Sequence, residues 1–297
     1  MGASWSASYK GKGPGAGRTV RVMSYNVEWG FLELSECVYQ DACGHPIPKT
    51  EKAQKDHLDL VGKDIGLMHP DVCFLQEMGS LEAVEYIRDF VEDKFGIQYS
   101  AFYSNGSKVG EQGIGLLLQD WDHFTVTEIP GFPMDRAIAV TCAMPGSDAG
   151  LVIVGVHLKS IGDFKKGRDV AEQLRQIEAV RKWIGERHAI VCGDFNNIPE
   201  SLPVRTLVEE HGYYDLLASD KFIPNVTRDM STEFYRDGRG ILMGARIDYV
   251  LATPAIAARC TSANIVSFHR EVSRRCQDKS LRAESSDHLP VMAIFQV

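Results

Sequence analysis

The chain has 297 residues, of which 44% are hydrophobic, enough to bury a substantial core, and its 32 Lys and Arg against 40 Asp and Glu leave a formal net charge of -8. This acidic balance excludes a protein that coats nucleic acid through a broad basic face, although a cluster of acidic metal ligands is still compatible with an anionic substrate. Seven cysteines without a CxxC pair disfavour a structural zinc site and a dense disulfide framework, and their odd number favours a reducing compartment.

Residues 1–18 are rich in Gly, Ser and Lys and read as a flexible tail, which leaves 19–297 as a single domain because strand-like runs continue to the last residue. No apolar signal-peptide core opens the chain and no apolar run approaches membrane-spanning length, so the expected setting is intracellular and cytoplasmic. Met1-Gly2-Ala3-Ser4-Trp5-Ser6 fits the N-myristoylation pattern, which is short enough to arise by chance. Asn105-Gly106-Ser107 and Asn225-Val226-Thr227 are glycosylation sequons, meaningful only in a secreted chain.

The first strand-like run, Val20 to Tyr25, leads into Asn26 and Glu28. The segment from Leu32 to Pro48 holds two cysteines and two prolines with no clear period, and reads as a long loop of the kind that often carries function. Leu58, Val61, Ile65 and Met68 step by three or four and predict an amphipathic helix over Lys52–Met68; Leu81–Phe95 repeats the signal. Between them Asp71 to Leu75 runs into Gln76 and Glu77. Gly113–Leu118 and Ala137–Ala143 read as strands, and Leu151 to Val156 runs into His157. Val170, Leu174, Ile177, Val180 and Ile184 mark a long core-facing helix, after which Ala189 to Cys192 runs into Gly193-Asp194-Phe195-Asn196. Arg246-Ile247 precedes Asp248, and Asp287-His288 stands before the final strand Val291 to Phe295. Helices alternate with strands early and shorter strands follow Asp215, a pattern that predicts mixed sheets covered by helices rather than a parallel barrel. Cys73, Cys142 and Cys192 lie in apolar runs and read as small core residues, whereas Cys37 with Cys43 and Cys260 with Cys276 leave room for oxidised pairs.

Six strand ends thus deliver polar groups. Glu28, Glu77, Asp194, Asp248 and Asp287 supply carboxylates, Asn26 and Asn196 amides, and His157 and His288 imidazoles. A set rich in oxygen and free of thiolates suits a hard cation such as Mg2+ or Mn2+, which keeps several waters and binds phosphate oxygens. Phosphodiester hydrolysis asks for charge neutralisation, a base for water and stabilisation of the leaving oxygen, and this inventory contains each. No HExxH motif points to zinc hydrolysis, and Gly11-Lys12-Gly13 has neither the strand nor the helix that a phosphate loop requires.

Asn26-Val27-Glu28, Gln76-Glu77, His157-Leu158-Lys159-Ser160, Gly193-Asp194-Phe195-Asn196, Arg246-Ile247-Asp248-Tyr249 and Ser286-Asp287-His288-Leu289-Pro290, in that order, resemble the endonuclease/exonuclease/phosphatase superfamily, the DNase I-like proteins. The resemblance spans Val20 to Val297 and implies a four-layered α/β sandwich, two mixed β-sheets packed face to face with outer helices. It implies Glu77 as principal metal ligand with Asn26 and Glu28 nearby, and Asp287 in support of metal binding. Asp194, helped by Asn196, would orient or deprotonate the attacking water, and His288, held by Asp248, would contact the scissile phosphate. His157 stands where members place a phosphate-contacting His or Tyr, and Arg136 where some carry a phosphate-facing Arg; Lys159 is a further candidate for phosphate binding. Glu28 departs from the Asp frequent in some branches, one methylene longer in reach. Trp29 and Tyr249 read as packing groups, and Lys165, Lys166 and Arg168 as a solvated charge run.

The expected activity is a divalent-metal-dependent phosphodiesterase with nucleic acid as substrate. The alternative is an inositol polyphosphate phosphatase or a sphingomyelinase-type enzyme with a phosphoinositide or phospholipid substrate. An inactive binding module ranks last, because it predicts loss of a central group and none is missing. Substrate choice in such scaffolds is carried by grafted loops, for which Leu32–Pro48 and Lys221–Gly244 are the candidates.

Overall fold

The computed structural model describes residues 6–9, 17, 19–32, 50–104, 112–119, 124–132, 136–144, 147–160, 167–218, 231–236, 242–266 and 286–296. In chain order the first half contains β1 (Ser6–Tyr9), β2 (Thr19–Gly30), α1 (Glu51–Met68), β3 (Val72–Met78), α2 (Leu81–Phe95), β4 (Tyr99–Ser104), β5 (Gly113–Gln119) and β6 (Phe124–Glu128). Then come β7 (Ala137–Met144), β8 (Ser147–His157), α3 (Gly167–Ile184), β9 (His188–Asp194), α4 (Leu202–Arg205) and β10 (Tyr214–Asp215). The last part holds β11 (Glu233–Arg236), β12 (Leu242–Ala245), β13 (Asp248–Ala252), α5 (Pro254–Ala257), β14 (Cys260–Ile265) and β15 (Val291–Gln296).

These strands form a seven-stranded sheet in the order β1-β6-β7-β8-β9-β13-β10, a six-stranded sheet in the order β14-β15-β2-β3-β5-β4, and a separate β11-β12 hairpin. Both large sheets are mixed: β8 runs parallel to β9 and β2 parallel to β3, while the other pairings are antiparallel. Three apolar layers hold the sandwich. Val22, Phe74, Ile153, Ile190, Val250 and Val291 fill the space between the sheets. Ile177, Val180 and Ile184 of α3 cover one outer face, and Leu58, Val61 and Ile65 of α1 with Val84, Ile87 and Val91 of α2 cover the other. The chain therefore adopts the four-layered α/β sandwich that the motif order implies.

Both front helices start where a hydroxyl can satisfy a free backbone donor. Thr50 Oγ1 accepts from the Ala53 N–H at 3.2 Å, and Ser80 Oγ from the Ala83 N–H at 3.2 Å. Helix α1 ends at His69 in a left-handed conformation before Pro70, and α2 ends at Gly96. Between the sheets Gly155 is required by close approach: a Cβ there would lie 2.1 Å from the Phe74 ring of the opposite sheet.

The opening segment differs from expectation. Ser6–Tyr9, read as part of a flexible tail, pairs antiparallel with β6 from Ser6 opposite Thr127 to Tyr9 opposite Phe124. A four-residue edge strand is held by the backbone groups of its partner, so its own polar composition carries no signal for it. Cys73, Cys142 and Cys192 are free buried thiols, as expected of small core residues. Cys37, Cys43, Cys276, the Gly2 pattern, both sequons, Lys165, Lys166 and nearly all of the Leu32–Pro48 loop lie outside the described residues. Among the described residues no helix is long and apolar enough to cross a membrane.

Candidate active site

Alternation along the strands builds the site. On each inner face apolar residues recur every second position until the strand reaches one rim, where the next inward position is polar. Ile190 and Cys192 are followed by Asp194, Leu151 and Ile153 by Gly155 and His157, and Val20 and Val22 by Ser24 and Asn26. Read backwards, Ala252 and Val250 lead to Asp248. Pairing then fixes the row, since Asp194 lies opposite His157 on one side and Asp248 on the other. Because Asn26 faces the same interlayer space from the other sheet, its Nδ2 donates to Asp194 Oδ2 across the gap at 3.0 Å.

The six-stranded sheet reaches the rim by irregular backbone. Glu28, Trp29 and Glu77 have φ of 52°, 61° and 64°, and the β2–β3 register shifts between Asn26 and Gly30. Without that turn Glu77, next to the inward-facing Gln76, would point to the outer face. Instead Glu77 Oε1 accepts from Asn26 Nδ2 at 3.2 Å, and Oε2 accepts from the Trp29 N–H at 3.3 Å and Gln112 Nε2 at 2.7 Å. Glu28 Oε2 accepts the Asp287 N–H at 3.0 Å, while Ser286 Oγ donates to the Asn26 carbonyl at 2.7 Å. These contacts dock the Ser286–His288 loop against the bulge.

His288 Nδ1 lies 2.9 Å from Asp248 Oδ2, and its Nε2 lies 3.9 Å from Asp287 Oδ1. Burial works against a charged His288 ring, but Asp248, Asp287 and Asp194 together lift its pKa well above the usual value, which favours the imidazolium. His157 is the reverse case: burial, with Arg136 and His288 adding positive charge, holds it neutral, its Nε2 3.7 Å from Asp194 Oδ2. Asp194 is pushed well above the usual carboxylate range by burial and by Asp248, and Glu77 is raised by burial and by Asp287. Asn196, at a left-handed φ of 51°, donates its N–H to Asp194 Oδ1 at 2.7 Å and its Nδ2 to the Leu158 carbonyl at 3.1 Å.

All nine of the residues expected in the catalytic and metal sets are described, and this network of contacts draws them to one rim. Among the described residues, ligand atoms of Asp194, Asp248 and His288 come within 4.8 Å of one another. Asp248 and His288 are close because they are hydrogen-bonded, whereas Asp287 meets Glu28 through its backbone N–H. The donor set still fits a hard divalent cation: buried carboxylates crowd one another, and Asp248 Oδ1 is buried with no hydrogen-bond partner among the described residues. Arg136 stands one residue before β7, its carbonyl accepting the His157 N–H at 3.0 Å and its charge reaching His157 and Tyr103. Tyr249 is buried and donates to the Asn197 carbonyl at 2.8 Å, as expected of a packing group.

Three contributions lie outside the sequence motifs. Gln112 binds Glu77 from outside any motif. Gln173 and Gln176, fully buried on α3, tie the two catalytic loops together: the Lys159 N–H donates to Gln176 Oε1 at 2.9 Å, and Gln173 Nε2 donates to the Lys159 carbonyl at 2.6 Å and the Phe195 carbonyl at 3.4 Å. Glu233 is the third, a half-buried carboxylate raised to about 7 by burial, with His288 opposing and Asp287 adding to the shift. Two polar positions on a core-facing helix were the only hint of the glutamines.

Residues 23–288 match the endonuclease/exonuclease/phosphatase family. The chain belongs to that family. Its members are mostly hydrolases of phosphate esters. The fold is similar to that of an endonuclease/exonuclease/phosphatase from Bacteroides vulgatus, with 15% identity, a TM-score of 0.62 and coverage of 94% of this chain and 99% of that one. An AP endonuclease from Archaeoglobus fulgidus is 20% identical, with a TM-score of 0.57 over 94% of this chain and 100% of that one. A truncated TDP2 from Caenorhabditis elegans is 16% identical, with a TM-score of 0.56 over 94% and 98%. No curated protein sequence matches. At these identities the structural likeness speaks for the fold alone.

Proposed function

We propose that this family member is a divalent-metal-dependent phosphodiesterase that cleaves nucleic acid. The observation that carries the reading is the meeting, at one rim of both sheets, of Asp194, the Asp248–His288 pair and the Asn26–Glu77 contact. Asn26, Glu28, Glu77 and Asp287 would hold Mg2+, or Mn2+ in its place. When bound, the cation supplies neutralisation of the charge on the phosphate oxygens.

The remaining chemistry belongs to the chain. Asp194, held by the Asn196 N–H and by Asn26, orients the attacking water and takes its proton; the raised proton affinity that burial gives it suits a base acting near neutral pH. His288 keeps one N–H on Asp248 and so directs the other ring nitrogen, as a cationic donor, at the phosphate. Neutral His157 contacts the phosphate from behind Asp194, and Arg136 and Lys159 add positive charge at the edge. The likeness to the Archaeoglobus AP endonuclease supports nucleic acid as the substrate class.

The test is turnover of bis-p-nitrophenyl phosphate and of a panel containing single-stranded DNA, RNA, abasic duplex, plasmid, inositol phosphates and sphingomyelin, with and without Mg2+. Asp194→Ala is expected to lose roughly 10²–10⁴-fold in rate, the usual contribution of a general base. Equal turnover by the two proteins would refute the enzymatic reading. Activity confined to inositol phosphates or sphingomyelin would replace nucleic acid by the alternative substrates.

A further inference from the structure

Glu233 reaches the site from the β11–β12 hairpin, and its position is set by its neighbour. Thr232 is fully buried and tied on every side: Oγ1 accepts the N–H of Ile247 at 3.0 Å and of Asp248 at 3.1 Å. Its own N–H donates to the Ala245 carbonyl at 2.8 Å, and its carbonyl accepts the Leu289 N–H at 2.7 Å. The next residue is thereby fixed between the start of β13 and the loop before β15. Glu233 pairs with Ala245 inside the hairpin and forms an isolated bridge with His288. Paired residues of an antiparallel bridge send their side chains to the same face, so Glu233 is turned to the side of His288, within electrostatic reach of Asp287, Asp248 and Glu77. Among the described residues its carboxylate takes no hydrogen bond.

A carboxylate is a poor neighbour for phosphate oxygens, which it repels, and it adds nothing to the hold on the scissile group. What it offers is a strong acceptor for a neutral hydroxyl. We infer that Glu233 is a specificity-determining residue that accepts a hydrogen bond from a hydroxyl vicinal to the scissile phosphate ester. The 2′-OH of ribose and a ring hydroxyl of an inositol phosphate share that chemistry. Within the nucleic-acid reading, on which the inference rests, it makes RNA preferred over DNA, because the 2′-OH is the group that distinguishes them.

The experiment compares the wild type, Glu233→Gln and Glu233→Ala on single-stranded oligonucleotides of one sequence in all-ribose and all-deoxyribose form, at saturating Mg2+. An inositol polyphosphate and bis-p-nitrophenyl phosphate, which has no vicinal hydroxyl, complete the set. The wild type is expected to favour ribose, and Glu233→Ala to lower the ribose-to-deoxyribose ratio of kcat/KM by about tenfold, the order of one charge-assisted hydrogen bond. Glu233→Gln, whose amide oxygen still accepts, should retain part of the ratio. A merely structural role would lower both polymers in proportion and leave the ratio alone. An unchanged ratio in Glu233→Ala, or a wild type that favours deoxyribose, overturns the inference. If neither oligonucleotide is cleaved but the inositol ester is, the nucleic-acid reading fails. The hydroxyl contact then stands if Glu233→Ala lowers turnover of that ester relative to bis-p-nitrophenyl phosphate, and falls if it does not. Turnover of bis-p-nitrophenyl phosphate alone removes both.

Discussion

On the seven-stranded sheet, His157, Asp194 and Asp248 stand in one row of ordinary strand positions, whereas on the six-stranded sheet Glu28, Trp29 and Glu77 reach the same rim only through left-handed backbone. The first half of the site is a by-product of sheet pairing, since any residues at those positions would lie side by side. The second half is strained: each such non-glycine residue costs on the order of 1–3 kcal/mol. Strain gathered on two carboxylates that face the site, rather than on surface turns, marks this half as shaped for binding. Stability should therefore be lost by disturbing the regular half, and cation response by disturbing the strained one.

The largest effect is expected from the regular half at Gly193, whose φ is 148° and where a Cβ would lie 1.9 Å from the Val156 carbonyl oxygen. Backbone cannot yield there without opening the β8–β9 pairing, so Gly193→Ala should cost upwards of about 4 kcal/mol in urea unfolding or abolish soluble expression. A near-native urea midpoint would mean that the row is less rigid than its register implies.

Glu77→Gln should separate the halves. Burial raises the Glu77 pKa, so the folded state holds that proton more tightly than the unfolded chain does; ionised Glu77 then weakens the fold as pH rises above the ordinary carboxylate range. The glutamine variant is therefore expected to melt at or above the wild-type Tm at neutral pH without metal. It should also need roughly 10–100-fold more Mg2+ for activity, and lose the rise in Tm that Mg2+ is expected to give the wild type. A lower metal-free Tm with an intact Mg2+ response would invert the comparison.

A smaller change is expected from Asp248→Asn. In the proposed mechanism Asp194, whose pKa is raised, acts ionised, so the rate should climb with pH on the acid side; His288 acts protonated, so the rate should fall on the alkaline side. Removing the Asp248 charge lowers the His288 pKa and should move the alkaline limb toward neutral pH, with a loss of about 1.4 kcal/mol in transition-state stabilisation, roughly tenfold in rate. A pH profile with an unmoved alkaline limb would show that Asp248 does not act through His288.

Much of the regular half was legible in the residues. Strand runs ending in Asp194, His157, Asn26 and Asp248 announce a polar rim because period-two alternation is local and a break in it is visible in a few residues. The strained half was legible in residue identity but not in geometry, since Glu28 and Glu77 reveal nothing of their left-handed backbone. Gln112, Gln173, Gln176 and Glu233 were not legible as site residues. Each lies outside the six motifs, and its role depends on which distant segment it touches rather than on its own pattern. The opening residues differ from expectation for a related reason, since Ser6–Tyr9 is a strand only because β6 offers it an edge.

The sequence by itself determined the elements, the inward apolar stripes and the chemical inventory at their ends, because helix and strand periodicities and donor types are properties of neighbouring residues. Tertiary structure alone decided that the two sheets close on one another so that Asn26 meets Asp194, 168 positions away, and that Glu233 comes to lie beside His288. Such contacts arise from sheet packing and loop closure over long separations, and no local pattern encodes the partner.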